Sequence, residues 1–307
     1  MTRLSQGEYF DELVQRTASY QSSADYLETL RVVAALKDFS PFNAYLLRLQ
    51  RPNLRFAARL ERWHYEFGRQ LRQDRPAYPL VILRPFGPVD FVFDYDDTDG
   101  YPLPLSVLEP YRASGYISRE TWERLFHNAR RRGVLVEFRG GEFGEAGSIG
   151  LFSTPFQLPK AATRSVREEP PVRFRVSLSS LSREVQFTTL LHELGHLCCG
   201  HLGGLPGDDW PNRERLPPTV VEFEAESVSF IVGRRLGLES NAEEYLAGYA
   251  ARGEVVPQGV SVHTVLKAAG LIEEWASKLT FPRKPRREKA ERQLRSKREG
   301  LLAGDNL

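Results

Sequence analysis

The stretch FTTLLHELGHLCCGHL, residues 187–202, constrains the fold more than any other part of the chain. Its apolar residues predict a helix packed in the protein interior, yet it carries His192, Glu193 and His196. Residues four apart on a helix lie on one face, so both imidazoles can reach one zinc ion at about 2 Å each. Unpaired histidines would be costly in an apolar interior. We therefore predict a metal site here rather than two accidental histidines.

The glutamate between the two histidines predicts the chemistry of that site. Glu193 lies one step further round the helix and can lean over the open side of the ion. Zinc lowers the pKa of a water molecule, and a carboxylate at this place can accept the proton and pass it to a leaving amine. The pattern H-E-x-x-H is typical of metal-assisted hydrolysis. We predict Zn²⁺ as the cofactor and Glu193 as the catalytic general base.

A catalytic zinc generally takes three protein ligands, and the third has several candidates. His201 is nearest, but Gly200 falls one place late and His201 one place early for the metzincin pattern, which favours a helix-end or surface residue instead. The stretch VVEFEAESVSFIV, residues 220–232, predicts a second, mostly buried helix whose Glu222 and Glu226 share one face. Either can bind zinc while the other accepts a ring N–H from a ligand histidine.

Length and composition limit the kind of protein that can carry such a site. The 307 residues suffice for about two domains, and 41% apolar with 11% aromatic residues indicates a globular protein. Cys198 and Cys199 are the only cysteines, so a disulfide framework is excluded, and we predict that both are buried packing residues. Without a signal-peptide core or an apolar run of bilayer length, we expect a soluble cytoplasmic protein with no membrane partner.

The order of patterns along the chain predicts alternating helices and strands. YPLVILRPFG and VDFVFDY indicate paired strands, while GVLVEFRG and VRFRVSL indicate further strands. Apolar spacing and capping residues predict helices at five places: two within residues 8–38, then 42–49, 118–132, a helix from Ser182 that carries H-E-x-x-H, and 219–236. Residues 153–171, with four prolines, predict a linker or long loop.

These residues resemble a known group of proteins. FTTLLHELGHLCCGHL followed by VEFEAESVSFIV is similar to the zincin-type peptidase domain that the ImmA/IrrE family and the ArdC antirestriction proteins share. In those families the third ligand is a glutamate in an E-x-x-A setting on the next helix. The resemblance therefore implies that Glu222, three residues before Ala225, is the third metal ligand and that Glu226 orients a ligand histidine.

The front half carries a weaker resemblance. PFNAYLLRLQRPN, RWHYEFGRQLRQDRPAYPLVILRP and FVFDYDDTDGYPLP are similar in order and spacing to the ArdC-like N-terminal domain, which is associated with single-stranded DNA. Cations interleaved with stackable rings are what a single-strand groove uses. The candidate nucleic-acid contacts are Arg51, Arg55, Arg59, Arg62, Trp63 and Arg69. The alternative is a helix with a charged outer face and an aromatic core face.

We thus expect an α+β protein of two domains, a mixed α/β N-terminal domain and a zincin-like metallopeptidase C-terminal domain. The predicted division is 1–152 for the ArdC-like domain, 153–171 for the linker, 172–280 for the peptidase domain and 281–307 for a basic tail. That tail has nine Lys or Arg against four acids, which is typical of a solvated extension or of a phosphate contact.

Three hypotheses about function follow. The first is a zinc metallo-endopeptidase that acts on a protein substrate, such as a repressor or another regulator. The second is a single-stranded DNA-binding antirestriction or accessory protein with a mainly structural zinc site. The third is a regulatory module that senses and does not cut. A donor for the oxyanion of a peptidase remains unassigned among Tyr245, Tyr249 and His263.

Overall fold

The structure is a computed structural model of the 307-residue chain. It describes residues 23–84, 89–103, 115–139, 147–157, 170–179, 182–240, 242–251 and 255–280. Within these ranges the protein is a mixed α/β fold with eight α-helices and three small sheets. No helix of the described ranges is both long enough and apolar enough to span a membrane.

The helices begin and end at residues that the sequence marks for that purpose. Ser118, Ser182 and Ser261 each accept a hydrogen bond from the backbone N–H three residues further on, so each caps a helix. The helices are α1 (Ser23–Ala35), α2 (Pro41–Gln50), α3 (Leu60–Tyr65), α4 (Arg119–Arg130), α5 (Arg183–Cys198), α6 (Pro218–Leu236), α7 (Ala242–Ala251) and α8 (Val262–Ser277). Gly237 ends α6 with a φ of +88°, a left-handed conformation that favours glycine.

The strands form three sheets of two or three strands each. They are β1 (Ala57–Ala58), β2 (Arg69–Leu71), β3 (Leu80–Ile82), β4 (Asp90–Asp94), β5 (Thr98–Gly100), β6 (Val134–Arg139), β7 (Gly147–Phe156) and β8 (Val172–Ser179). The orders are β1-β4-β3, β2-β5 and β6-β8-β7. In the third sheet β8 pairs parallel with β6 and antiparallel with β7, so β7 lies at an edge and packs beside α5.

Helix α2 covers the outer edge of β3 with two amide side chains. Asn43 accepts a hydrogen bond from the backbone N–H of Leu83 and donates one to its carbonyl, both at 2.9 Å. Gln50 makes the same pair of bonds with Val81, at 2.7 and 2.8 Å. The two amides therefore occupy the place of a further strand and satisfy an edge that would otherwise be open to pairing.

One continuous apolar core joins α1, α2, β3 and the helices α4 to α8. It contains buried residues from both predicted domains, and the β6-β8-β7 sheet takes strands from both sides of the predicted linker. A small second cluster surrounds Trp63, with Phe56, Phe93 and Leu103. The core of the described residues therefore contains side chains from both sides of residues 153–171, and the predicted domain boundaries stay a prediction.

Most predicted elements are confirmed, with one correction. Strands β3, β4, β6 and β8 and helices α1, α2, α4, α5 and α6 lie where the patterns indicate. The linker prediction is wrong for residues 153–156, because they belong to β7, which pairs with β8. The two prolines at 170–171 precede β8. Three predicted parts lie outside the described residues: the rest of the linker (158–169), the first helix within 8–38 and the tail (281–307). Helices α3, α7 and α8 were not predicted.

Candidate metal centre

Two neighbouring helices bring the predicted ligands together. Helix α5 carries His192 and His196, whose Nε2 atoms are 3.0 Å apart. Helix α6 carries Glu222, whose carboxylate oxygens lie 3.5 Å from the Nε2 of His192 and 3.6 Å from the Nε2 of His196. The three side chains form one of two groups in the described residues whose donor atoms lie close enough to hold a metal ion.

The spacing of these atoms fits a small tetrahedral ion. Ligands at 2.0–2.1 Å from a tetrahedral zinc are about 3.3 Å from one another. The three observed separations, 3.0, 3.5 and 3.6 Å, lie on either side of that value. Two imidazole nitrogens and one carboxylate are also the donor set that catalytic zinc sites use. The residues therefore fit a divalent metal ion.

Glu226, one helical turn beyond Glu222, lies behind the first histidine. Its Oε1 is 3.3 Å from the Nδ1 of His192, on the far side of the ring from the cluster. Burial lowers the pKa of His192, but the neighbouring carboxylates of Glu222 and Glu226 outweigh it and raise the pKa to about 10. The hydrogen bond to His192 in turn lowers the pKa of Glu222. Without an ion, a proton on His192 thus supplies the positive charge that two carboxylates require, and metal binding would displace it.

The second histidine has a different partner behind it. The Nδ1 of His196 lies 3.1 Å from the Nδ1 of His201, and the Nε2 of His201 lies 2.9 Å from Glu224 Oε2. The sequence predicts His201 as a helix-end or surface residue. It does follow the end of α5, but its side chain is only 3% exposed, because it lies between His196 and Glu224. The surface prediction was wrong.

Glu224 is the most deeply held carboxylate of the three on α6. It is fully buried and points away from Glu222, since residues two apart lie on opposite sides of a helix. Its oxygens accept hydrogen bonds from the Nη1 and Nη2 atoms of Arg213, at 2.5 and 2.8 Å, and from the backbone N–H of Ser261, at 2.7 Å. Burial raises the pKa of Glu224, but the bonds from His201 and Arg213 outweigh it and lower the pKa.

Sequence reasoning missed His201, Glu224, Arg213 and Ser261 as members of the site. The one available signal was a glutamate on a helix that is otherwise apolar, since a buried carboxylate needs a cation. That cation is the guanidinium of Arg213, which no local pattern connects with the motif.

A close contact sets the distance between the two ligand helices. Gly195 lies between the two ligand histidines and faces Ala225 of α6. A Cβ placed on Gly195 would be 3.0 Å from the carbonyl oxygen of Ala225 and 3.1 Å from its Cα. Glycine therefore allows α5 and α6 to approach closely at the level of the cluster, which brings Glu222 within reach of both imidazoles.

The predicted general base lies beside the histidines, next to the edge strand. Glu193 is 6% exposed. Its Oε1 is 3.4 Å from the place where Gly147 of β7 would carry a Cβ, so the carboxylate lies directly beside this strand. A cleft of about 430 Å³ opens here, lined by His192, Glu193 and Glu226 together with Thr188, Ser229 and Glu239. The carboxylate predicted to move protons therefore faces a space that can hold a substrate.

The three candidates for an oxyanion donor occupy different surroundings. The hydroxyl of Tyr245 lies 3.4 Å from that of Tyr249, whose ring packs edge-on against Phe223. Burial, Tyr249 and the charges of Glu222 and Glu226 raise the pKa of Tyr245. His263 packs edge-on against Phe42. The hydroxyl of Tyr245 is thus close enough to the predicted ligand Glu222 to be affected by its charge. None of the three residues is assigned as the oxyanion donor.

The second group of candidate ligands in the described residues is Cys199, His201 and Glu224. Both oxygens of Glu224 already accept hydrogen bonds from Arg213, and burial raises the pKa of the Cys199 thiol well above its ordinary value. A guanidinium and a neutral thiol disfavour a cation. Cys198 and Cys199 are buried, as predicted.

The side chains of the candidate nucleic-acid contacts have partners within the protein. Three of the arginines form ion pairs: Arg51 with Asp94 and Asp97, Arg59 with Asp90, and Arg62 with Asp38 and Glu66. The exposed Arg55 lies over the ring of Tyr95, with 5.4 Å from guanidinium carbon to ring centre. These cations have carboxylate or aromatic partners, and except for Glu66 these partners lie in distant segments, which the sequence pattern did not reveal.

Two further residues of that set are in the interior and correct the prediction. Trp63 is 1% exposed and donates its indole N–H to the carbonyl of Phe93. Arg69 is 5% exposed, lies over the ring of Tyr95 and donates to the carbonyl of Thr98. Because both side chains are enclosed by the protein, neither can contact a nucleic acid in this conformation.

Comparisons with known proteins give a weak likeness in structure. A scan against models of protein families finds no match, and a search of curated proteins finds none either. The chain is similar to the antirestriction ArdC protein from the R388 plasmid. The metal-free crystal structure aligns over 83% of this chain and 98% of that chain, at 13% identity and a TM-score of 0.32. The Mn(II)-bound structure aligns over 82% and 97%, at 15% identity and a TM-score of 0.33.

Proposed function

We propose that this protein is a divalent-metal-dependent peptidase, with zinc as the expected ion. The observation that carries the proposal is the convergence of His192, His196 and Glu222, with Glu193 beside them at the wall of a cleft. A bound divalent ion would polarise a carbonyl and lower the pKa of water at this place. We also propose that the protein has a zincin fold and that it is related to the ImmA/IrrE peptidases.

The residues of the chain then have separate tasks. Glu193 accepts a proton from the attacking water and returns it to the leaving amine. Glu226 lies 3.3 Å from the Nδ1 of His192 and is placed to accept its N–H, which leaves the Nε2 lone pair directed at the cluster. The cleft lined by β7, α5 and the middle of α6 receives the polypeptide substrate.

Elemental analysis of the purified protein tests the site. We expect about one zinc or manganese ion per chain in the wild type, loss of the ion in Glu222→Ala, and retention in Glu193→Gln, because Glu193 is not a ligand. Glu239→Gln is a matched control, since Glu239 lines the same cleft without touching the ligand atoms. A wild type without metal, or a Glu222→Ala variant that keeps it, would contradict the assignment.

A substrate search then tests the activity. Glu193→Gln binds metal and substrate but lacks the base, so it retains bound protein that the wild type releases after cleavage. Proteins captured by this variant are incubated with wild type and with Glu193→Gln, and new termini are identified by mass spectrometry. Cleavage that the glutamine variant performs equally well would refute the role of Glu193.

The alternative function, a single-stranded DNA-binding antirestriction or accessory protein, is kept because the structural neighbour is itself an antirestriction protein. Of its six candidate contacts, Arg55 and Arg59 have exposed side chains. A fluorescence titration with labelled single strands at two salt concentrations tests it. Salt-sensitive binding that falls in Arg55→Ala and persists in Glu193→Gln would favour this alternative over the peptidase.

A further inference from the structure

The two ligand histidines are supported in different ways. His192 has a carboxylate beside it, with Glu226 Oε1 3.3 Å from its Nδ1. His196 instead meets a second imidazole, His201, and only through it the carboxylate of Glu224. The four atoms that carry this contact are the two Nδ1 atoms at 3.1 Å and the His201 Nε2 with Glu224 Oε2 at 2.9 Å. We call His196, His201 and Glu224 the relay.

Hydrogen-bond chemistry fixes the tautomers along the relay. Glu224 is paired with Arg213, so its carboxylate only accepts hydrogen bonds. The Nε2 of His201 must then carry the proton, which leaves the Nδ1 of a neutral His201 as an acceptor. That acceptor takes the N–H of His196 Nδ1. The lone pair of His196 is therefore on Nε2, the atom that lies 3.0 Å from His192 Nε2.

We propose that His201 is a positioning residue for the metal ligand His196, and that Glu224, clamped by Arg213 and the Ser261 N–H, holds His201 in the tautomer that this task needs. The inference rests on the proposed metal site. It adds a contribution from two segments outside the ligand helices, since Arg213 lies between α5 and α6 and Ser261 caps α8.

A separate metal site at Cys199, His201 and Glu224 is the competing interpretation of the same atoms. It would require Glu224 to exchange Arg213 for an ion and the buried thiol of Cys199 to lose its proton. The bidentate ion pair and the burial of the thiol both oppose this. A relay needs neither change.

Two amide substitutions separate the positioning role from packing. In His201→Asn the side-chain oxygen can take the place of Nδ1, so an acceptor for His196 remains. In His201→Gln the side-chain nitrogen can take the place of Nε2, so the bond to Glu224 remains and the acceptor for His196 is lost. We expect His201→Gln to bind zinc about 10 to 100-fold more weakly than the wild type. We expect the affinity of His201→Asn to be much closer to that of the wild type.

The measurement is the zinc dissociation constant by competition with a chromophoric chelator, together with the visible spectrum of the Co(II)-loaded protein. Ser227→Ala is the matched control, since it removes a buried hydroxyl of α6 that is bonded to Tyr26 and Phe223 and does not touch the relay. This control should lower the urea midpoint of the metal-free protein and leave the zinc constant unchanged.

The outcomes separate the relay from the metal site itself. If His201→Gln and His201→Asn both bind zinc as the wild type does, with unchanged Co(II) spectra, the relay is refuted while the site stands. If both weaken binding equally and in proportion to their loss of stability, the role is only structural and the proposal also fails. If the wild type and Ser227→Ala bind no metal at all, the proposed function has failed.

Discussion

The contact between Gly195 and Ala225 makes a prediction that links packing to metal binding. Substitution Gly195→Ala adds one methyl group between the helices that carry the ligands. Ordinary carbon contacts begin near 3.5 Å, so a Cβ at 3.1 Å from the Cα of Ala225 is roughly 0.4 Å too close. The obstacle is the backbone of a buried helix, and α5 and α6 must therefore move apart.

Two opposing effects set the change in stability of the metal-free protein. Alanine in a helix interior is favoured over glycine by up to about 1 kcal/mol. Overpacking a tight interface costs about 1–3 kcal/mol. We expect a net loss of about 1 kcal/mol in the free energy of unfolding.

The effect on metal binding should be larger than the effect on stability. Metal–ligand distances tolerate changes of only about 0.2 Å, and the required separation is about twice that. Glu222 on α6 would be displaced from His192 and His196 on α5, so we expect zinc affinity to fall about 10 to 100-fold. Urea unfolding of the metal-free protein and chelator competition measure the two effects separately.

Gly233→Ala is the matched control for this experiment. A Cβ on Gly233, which lies in the other ligand helix, α6, would come no closer than 3.9 Å to its nearest neighbours. It should therefore stabilise the protein by about 0.4–1 kcal/mol and leave the zinc constant as it is. If Gly195→Ala behaves like Gly233→Ala in both assays, the close approach does not set the ligand geometry and our reasoning is refuted.

Two further predictions concern the interior. The side chain of Arg235 is 2% exposed, pairs with Glu273 and donates to the carbonyls of Val33, Leu36, Lys37 and Phe39. We therefore expect Arg235→Leu to lower the free energy of unfolding in urea by about 3–5 kcal/mol. A loss below about 1 kcal/mol would contradict this. Burial raises the pKa of both cysteine thiols, so a disulfide reagent at pH 8 should leave the folded protein unmodified and react with two thiols in urea, whereas rapid reaction of the folded chain would refute it.

The sequence predicted the parts of the site that depend on local patterns. Helices α5 and α6 follow from apolar spacing, from the Ser182 cap and from Gly237, all within a few residues of the element they define. Residues four apart on a helix share a face whatever the rest of the fold does. His192 with His196, and Glu222 with Glu226, could therefore be paired from their spacing alone.

The parts that were missed depend on contacts between distant segments. His201 and Glu224 are 23 residues apart, and Ser261 is 37 residues beyond Glu224. The arginines of the front half look like free cations in the sequence, yet Arg51 is paired with carboxylates 43 and 46 residues away. Propensity and spacing carry no information about such pairs, because only tertiary packing decides which charges meet.

Helix α6 places its three glutamates in three different electrostatic surroundings. Glu222 faces both Nε2 atoms, Glu226 faces the Nδ1 of His192, and Glu224 points across the helix to His201 and Arg213. Since Glu224 also binds the N–H of Ser261, the first turn of α8 must be docked before the relay is complete. Metal binding would then depend on the packing of α5, α6 and α8 against one another. We expect that removal of the ion by a chelator loosens the contact of α8 with the two ligand helices. Faster hydrogen exchange of the α8 amides would measure this change.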